Sequence, residues 1–188
     1  MPLRSLRVLA FAATFAAAVL CQAPSQEERL TPHLTSENPI LATGSSAPDF
    51  SLPGIDGKTH KLSDYSSRPY LMVMFICNHC PTSQLYEGWI KSPVDYRDRG
   101  VAFVAIQPND PKAVTLSELG YTDVSDSIEE MKIRAEYRHF NFPYLYDDET
   151  QSVTQACGAQ ATPHVFLFDQ DCRRLSNRNG MRACRLLW

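Results

Sequence analysis

"MVMFICNHCPTSQLYEGW", residues 72–89, carries an apolar run into two cysteines three positions apart and then into a segment with helical spacing. Tyr70 to Ile76 is continuously apolar over a strand's length, the pattern of a strand buried on both faces of a sheet. From Cys80 to about Asp98 the chain reads as a helix, with Leu85, Trp89 and Ile90 at helical spacing, Pro93 expected to kink it and Gly100 placed to end it. A buried strand feeding a helix is the building unit of α/β folds.

The flanks extend this unit. "VAFVAIQ" (Val101 to Gln107) is a second buried strand, so the order is strand, helix, parallel strand. Ser127 and Glu130 have the spacing of a capping box that opens a helix through about His139, with Ile128, Met131 and Ala135 on one face. "FPYLYD", a short helix from about Glu149 to Cys157 ended by Gly158, and the strand "HVFLFD" (His164 to Asp169) follow. The acids of "YDDET" read as the favourable charges of a helix N-terminus. Upstream, "APDFSLPGIDGKTHKLSDY" gives two short extended runs around Asp56-Gly57, a turn dipeptide, and so predicts a β-hairpin. The expected fold is α/β: a central mixed sheet with helices on both faces and an N-terminal hairpin.

The chain has 188 residues and a net charge of −3, with no Lys/Arg cluster of useful size in its body, which argues against a nucleic-acid partner. Arg4 and Arg7 precede the apolar run Val8 to Leu20, with no acidic residue before Glu27. This is the form of a secretory signal peptide over residues 1–23, with an N-terminal membrane anchor as the alternative. Residues 24–45 read as a linker, 46–171 as the domain and 172–188 as an atypical tail. Cleavage after Ala23 would remove Cys21 from a total of six cysteines and leave an odd number, in an oxidising periplasmic or secreted setting.

Cys77 and Cys80 admit a redox switch, a metal clip or an inert crosslink. A switch needs a thiolate, and the strand-to-helix junction assigns it to Cys77 as the accessible sulfur, stabilised by the helix N-terminus. Cys80, a turn away, would resolve, and His79, when protonated, would favour the thiolate. Zinc normally takes two such pairs, and Cys157, Cys172 and Cys184 form no second C-x-x-C. Cys157 reads as a buried small hydrophobe, and Trp89, Tyr86 and Phe103 read as core or groove lining.

Five stretches, "GSSAPDFSLPGIDGKTHKLSDY", "FICNHCPTS", "GVAFVAI", "FPYLYDDETQ" and "ATPHVFLFD", make residues 44–171 resemble the thioredoxin-fold redoxins of the alkyl hydroperoxide reductase/thiol-specific antioxidant superfamily. Within it the chain is most similar to the peroxiredoxin-like branch carrying C-N-H-C-P. The resemblance implies that Thr162-Pro163 is a cis step facing the cysteine pair, with Thr162 backbone groups open to an extended peptide. It implies thiol–disulfide exchange with a protein thiol or disulfide substrate and a second redox protein, with no bound cofactor. A peroxidase reading, with Cys80 as nucleophile, is the enzyme alternative. In the peroxidase pattern P-x-x-x-T-x-x-C, however, Val73 stands for the proline and Cys77 for the threonine. A redox-sensitive or metal-binding module is the non-enzyme alternative. The family continues with a further strand and a helix, for which "QDCRRLSNRNGMRACRLLW" is short, so the tail reads as truncated or frameshifted. A sheet face without that helix predicts low solubility or dependence on a partner.

Overall fold

The structure is a computed structural model that describes residues 38–91, 97–114 and 124–175. The leader at 1–23, the linker up to residue 37, Pro93 with the C-terminal part of its helix, Cys184 and the tail beyond residue 175 lie outside the described residues.

The hairpin forms where Asp56-Gly57 calls for it: β1 (Ser51–Pro53) pairs antiparallel with β2 (Thr59–Lys61), and Gly57 takes a φ of +76° in the turn. A 3-10 turn, Leu62–Tyr65, leads into β3 (Tyr70–Phe75), then α1 (Pro81–Lys91), β4 (Val101–Gln107), α2 (Ile128–Tyr137), β5 (Tyr144–Tyr146), α3 (Ser152–Cys157) and β6 (His164–Asp169). The main sheet has the order β5-β4-β3-β6. β4 runs parallel to β3 and β5, while β6 returns antiparallel to β3, opposing Phe75 to His164. Ile55 N donates to Tyr144 O at 3.0 Å, which ties the hairpin to the β5 edge. Among the described residues no helix is long and apolar enough to cross a membrane.

The continuous apolar runs of β3 and β4 are explained by a core on each side. One face packs Leu71, Val73, Phe75, Val104, Ile106, Phe166 and Phe168 against Phe50, Leu52 and, on α3, Val153 and Cys157. The other packs Met72, Met74, Ile76, Phe103 and Ala105 against Ile90 of α1 and Met131 of α2. Cys157 is buried at 2% exposure, as a small hydrophobe, and Phe103 lies in the core. Val165 and Leu167 of β6 are only partly buried on the α1/α2 face.

Two local expectations need correction. Leu85 and Trp89 do not face the core: they are 74% and 71% exposed, and α1 instead buries Ser83, Glu87 and Ile90. The helix is turned by an ion cluster that the apolar pattern does not register. Buried Glu87 Oε1 lies 2.8 Å from Arg134 Nη2, and Glu87 Oε2 lies 2.6 Å from Arg138 Nε, both arginines coming from the α2 segment. Removing the carboxylate leaves Arg134 without its counter-charge. Glu87→Ala is therefore expected to lower stability by about 3 kcal/mol, at the low end for a broken buried pair because Arg138 can turn to water. A urea titration reads this as a lower midpoint at unchanged slope.

The second correction concerns α3, which begins at Ser152 rather than Glu149. Asp147, fully buried, caps it from outside by accepting from Val153 N at 3.1 Å and Thr154 N at 2.7 Å. Gly158 ends it at a φ of +63°, where any added Cβ would come within 2.2 Å of Pro39 O. The segment before the hairpin is laced to the body, with Leu41 N on Cys157 O at 3.0 Å and Gly44 N on Arg174 O at 2.8 Å.

Candidate active site

β3 ends at Phe75, yet the chain stays buried through Ile76, Cys77 and Asn78 before α1 begins at Pro81. This short passage decides the character of the two sulfurs. Cys77 is 3% exposed, whereas Cys80, immediately before the first helical residue, is partly exposed. The accessible sulfur is thus Cys80, contrary to the reading that the strand-to-helix junction exposes Cys77. The helix starts at Pro81, and the N–H groups of Thr82 and Ser83 in its first turn reach Cys80.

The thiols diverge accordingly. Burial pushes Cys77 up to about 12, with the nearby Asp126 carboxylate adding to the effect. Burial also acts on Cys80, but hydrogen bonds from the Thr162 side chain, from the Ser83 and Thr82 backbone N–H groups and from the Ser83 side chain outweigh it, and its thiol falls below the ordinary value. The lower-pKa sulfur is the one at the helix cap.

Both sulfurs meet on Thr162. Cys77 Sγ lies 3.1 Å from Thr162 Oγ1, and the Cys80 thiol donates to Thr162 O at 3.2 Å. The Thr162-Pro163 bond is cis, and β6 starts directly after it, so its pairing with β3 brings Thr162 to the cysteines. The four described cysteines, Cys77, Cys80, Cys157 and Cys172, are free thiols.

Beneath the C-N-H-C turn lies Asp126, fully buried and 48 residues from Asn78 along the chain. One oxygen accepts from Asn78 N at 2.8 Å; the other lies 2.6 Å from His79 Nδ1 and accepts from Asn109 Nδ2 at 2.8 Å. Asn78 Nδ2 donates to Ser125 O at 2.6 Å, and Gln107 Nε2 donates to Asp126 O at 2.6 Å. The predicted capping box holds this loop: Ser127 Oγ accepts from Glu130 N at 3.3 Å and donates to Glu130 Oε2 at 2.9 Å. In sequence, Asp126 reads only as an acid beside a helix cap. Its place in the sequence carries no signal that links it to the cysteines.

Cys77 Sγ, a His79 ring nitrogen and an Asp126 oxygen lie within 4.8 Å of one another, and among the described residues this trio is what could offer ligands to a metal ion. The set fits a metal poorly. Cys77 would have to ionise against its burial, and the Asp126 oxygen facing His79 is already engaged by Asn109. The arrangement suits proton movement at Cys77 better.

A cavity of about 600 Å³ opens beside Cys80, lined by His79, Pro81, Asn109, Gln151, Gln155 and Thr162 among others. Cys77 does not line it.

The profile of the Redoxin family matches residues 42–173. The thiol-disulfide oxidoreductase ResA of Geobacillus thermodenitrificans is 28% identical over 138 residues, covering 72% of this chain and 68% of that protein. Among solved structures, an uncharacterized conserved protein from Geobacillus kaustophilus is 38% identical, with a TM-score of 0.64 over 73% of this chain and 68% of that one. The thioredoxin domain of a thiol-disulfide oxidoreductase from Bacteroides vulgatus, at 18% identity and a TM-score of 0.54, covers 72% of this chain and 87% of that one and shares the fold.

Proposed function

The chain belongs to the Redoxin family, and from that premise and the geometry of its cysteines we propose that it exchanges electrons between thiols and disulfides with Cys80 as the attacking sulfur. The observation that carries this assignment is the asymmetry of the pair: one sulfur is partly exposed at a helix cap, the other buried behind it.

In the reducing direction, the Cys80 thiolate attacks one sulfur of a substrate disulfide. A Cys80–substrate disulfide forms and the other substrate sulfur leaves as a thiolate. Cys77 then loses its proton and attacks Cys80 Sγ, which releases the second substrate thiolate and closes a Cys77–Cys80 disulfide. The substrate gains two electrons, the enzyme loses two, and a second redox protein restores them. The reverse sequence oxidises a substrate dithiol. The His79–Asp126 pair lies beside the thiol that has to give up a proton, and we assign it that proton. Thr162 orients both sulfurs from one residue.

The test is a trap. With Cys77→Ser, the first attack proceeds and resolution cannot, so a substrate disulfide is expected to leave a stable adduct on Cys80 detectable by intact mass. No adduct on Cys80, or a trapped adduct on Cys77 in the Cys80→Ser variant instead, would overturn the assignment.

Peroxide reduction is the second reading. It is favoured by the same finding, since Cys80 stands where the peroxidase pattern has its nucleophile. It predicts fast, stoichiometric oxidation of Cys80 by hydrogen peroxide. We also propose export, on the Arg4/Arg7 and Val8 to Leu20 pattern; export would put the thiols in an oxidising compartment.

A further inference from the structure

Asn78 stands between the two cysteines, yet its side chain turns inward: it is 1% exposed, and each of its four polar atoms has a partner. Its N–H donates to Asp126 Oδ1 at 2.8 Å and its Nδ2 donates to Ser125 O at 2.6 Å. Its O accepts from Gln84 Nε2 at 2.8 Å, and its Oδ1 accepts from the buried Tyr144 hydroxyl at 3.4 Å. Ser125 O can only accept, so the amide nitrogen has to face it and the orientation of the side chain is set. Turning the amide away would leave buried groups unsatisfied, which holds it in that orientation.

These bonds join the cysteine turn to the carboxylate beside Cys77. Gln107 Nε2 and Asn109 Nδ2 hold Asp126 from the end of β4 and the residues after it. From the cysteine side the hold comes from Asn78 and His79. A bond from Asn78 N alone would let the carboxylate pivot about it. The second bond, from Nδ2 to the preceding carbonyl, grips two consecutive residues and sets the direction in which the carboxylate meets His79 and Cys77. Gln84, whose backbone N–H also donates to Cys80 O at 3.0 Å, ties the same asparagine to the first turn of α1.

Resting on the exchange reading, we infer that Asn78 is a positioning residue for the resolving step: its side-chain amide docks Ser125–Asp126 against the cysteine turn and so holds the Asp126–His79 pair beside Cys77. The first attack, by Cys80, takes place at a cavity that Asn78 does not line. It is expected to proceed without the amide.

The experiment uses the full chain, reduced, with the symmetric disulfide of thionitrobenzoate in stopped flow. Cys80 displaces one thionitrobenzoate, in the phase that Cys80→Ser removes. Cys77 then gives up its proton, displaces the second and closes the Cys77–Cys80 disulfide, in the phase that Cys77→Ser removes. Asn78→Leu, of similar volume but without the amide, is expected to slow the second phase by about tenfold or more and to leave the first within about twofold. Asn78→Asp can donate to Ser125 O only while its carboxyl is protonated, so the ratio of its second-phase rate to the parent's should fall by about tenfold as pH rises. Leu52→Ala, a truncation in the hairpin's core contact, lowers the urea midpoint and gives the comparison for stability alone. A second phase slowed as much in Leu52→Ala as in Asn78→Leu overturns the inference. Should Asn78→Leu fail to fold, Asn78→Asp decides: a ratio to the parent that stays constant with pH overturns it. A parent protein without a second phase overturns the exchange reading and this inference with it, whereas a normal parent and unaltered Asn78 variants overturn this inference alone.

Discussion

At pH 8, iodoacetamide modifies Cys80 and spares Cys77, so Cys80→Ser loses rapid alkylation and, with it, all turnover of a disulfide substrate. The expectation follows from thiolate populations. A thiol held near 12 carries about 1,000-fold less thiolate at this pH than one at the ordinary value of 9.0. Cys80 lies below that ordinary value, which widens the gap further. The pH profile fixes the sign: alkylation of Cys80 rises to a plateau before the ordinary thiol range is passed, whereas Cys77 gains reactivity only as pH approaches 12. Peptide mapping after brief labelling separates the two. A Cys77 label that appears first would return the attacking role to that sulfur.

Asp126→Asn separates the two halves of the reaction. The amide keeps roughly the carboxylate's shape and loses its charge, so the His79 pair no longer holds a proton leaving Cys77. Resolution of the Cys80–substrate disulfide is expected to slow by about 100-fold, the lower range for a lost acid–base group, while the first attack by Cys80 proceeds. The variant also removes a negative charge that pushes the Cys77 thiol up, so Cys77 becomes alkylated at lower pH than in the parent protein. Stopped-flow measurement of the two phases, with alkylation as a second readout, distinguishes this from a merely structural loss. Unchanged resolution would remove Asp126 and His79 from the mechanism.

The fold is legible in the sequence because its strands are buried on both faces and therefore spell continuous apolar runs, as "YLMVMFI" and "VAFVAIQ" do. Gly57, Gly158 and the Ser127–Glu130 box mark their turn and helix ends because each answers a local backbone need. Trp89 misleads, since the side of α1 that faces inward is set by Glu87 meeting Arg134 and Arg138, a contact made across 47 residues of chain. Thr162 reaches the cysteines through a pairing that no local pattern encodes, and only family resemblance points to it. Cys80 and Cys77 exchange character for a finer reason: burial runs past the end of β3 through Asn78, so the first sulfur is enclosed while the second, just before the helix, meets the N–H groups of its first turn.

Thr162 also couples the chemistry to recognition. Its carbonyl holds the Cys80 S–H only while that sulfur keeps a proton. Ionisation or disulfide formation withdraws that donor and returns the lone pair to any backbone N–H laid alongside. An extended peptide should thus grip the oxidised protein more tightly than the dithiol, and by thermodynamic reciprocity each bound peptide shifts the Cys77–Cys80 potential toward the disulfide. Occupancy of the groove and the redox poise of the pair are then conjugate quantities, so a redox titration repeated at rising peptide concentration reads one from the other.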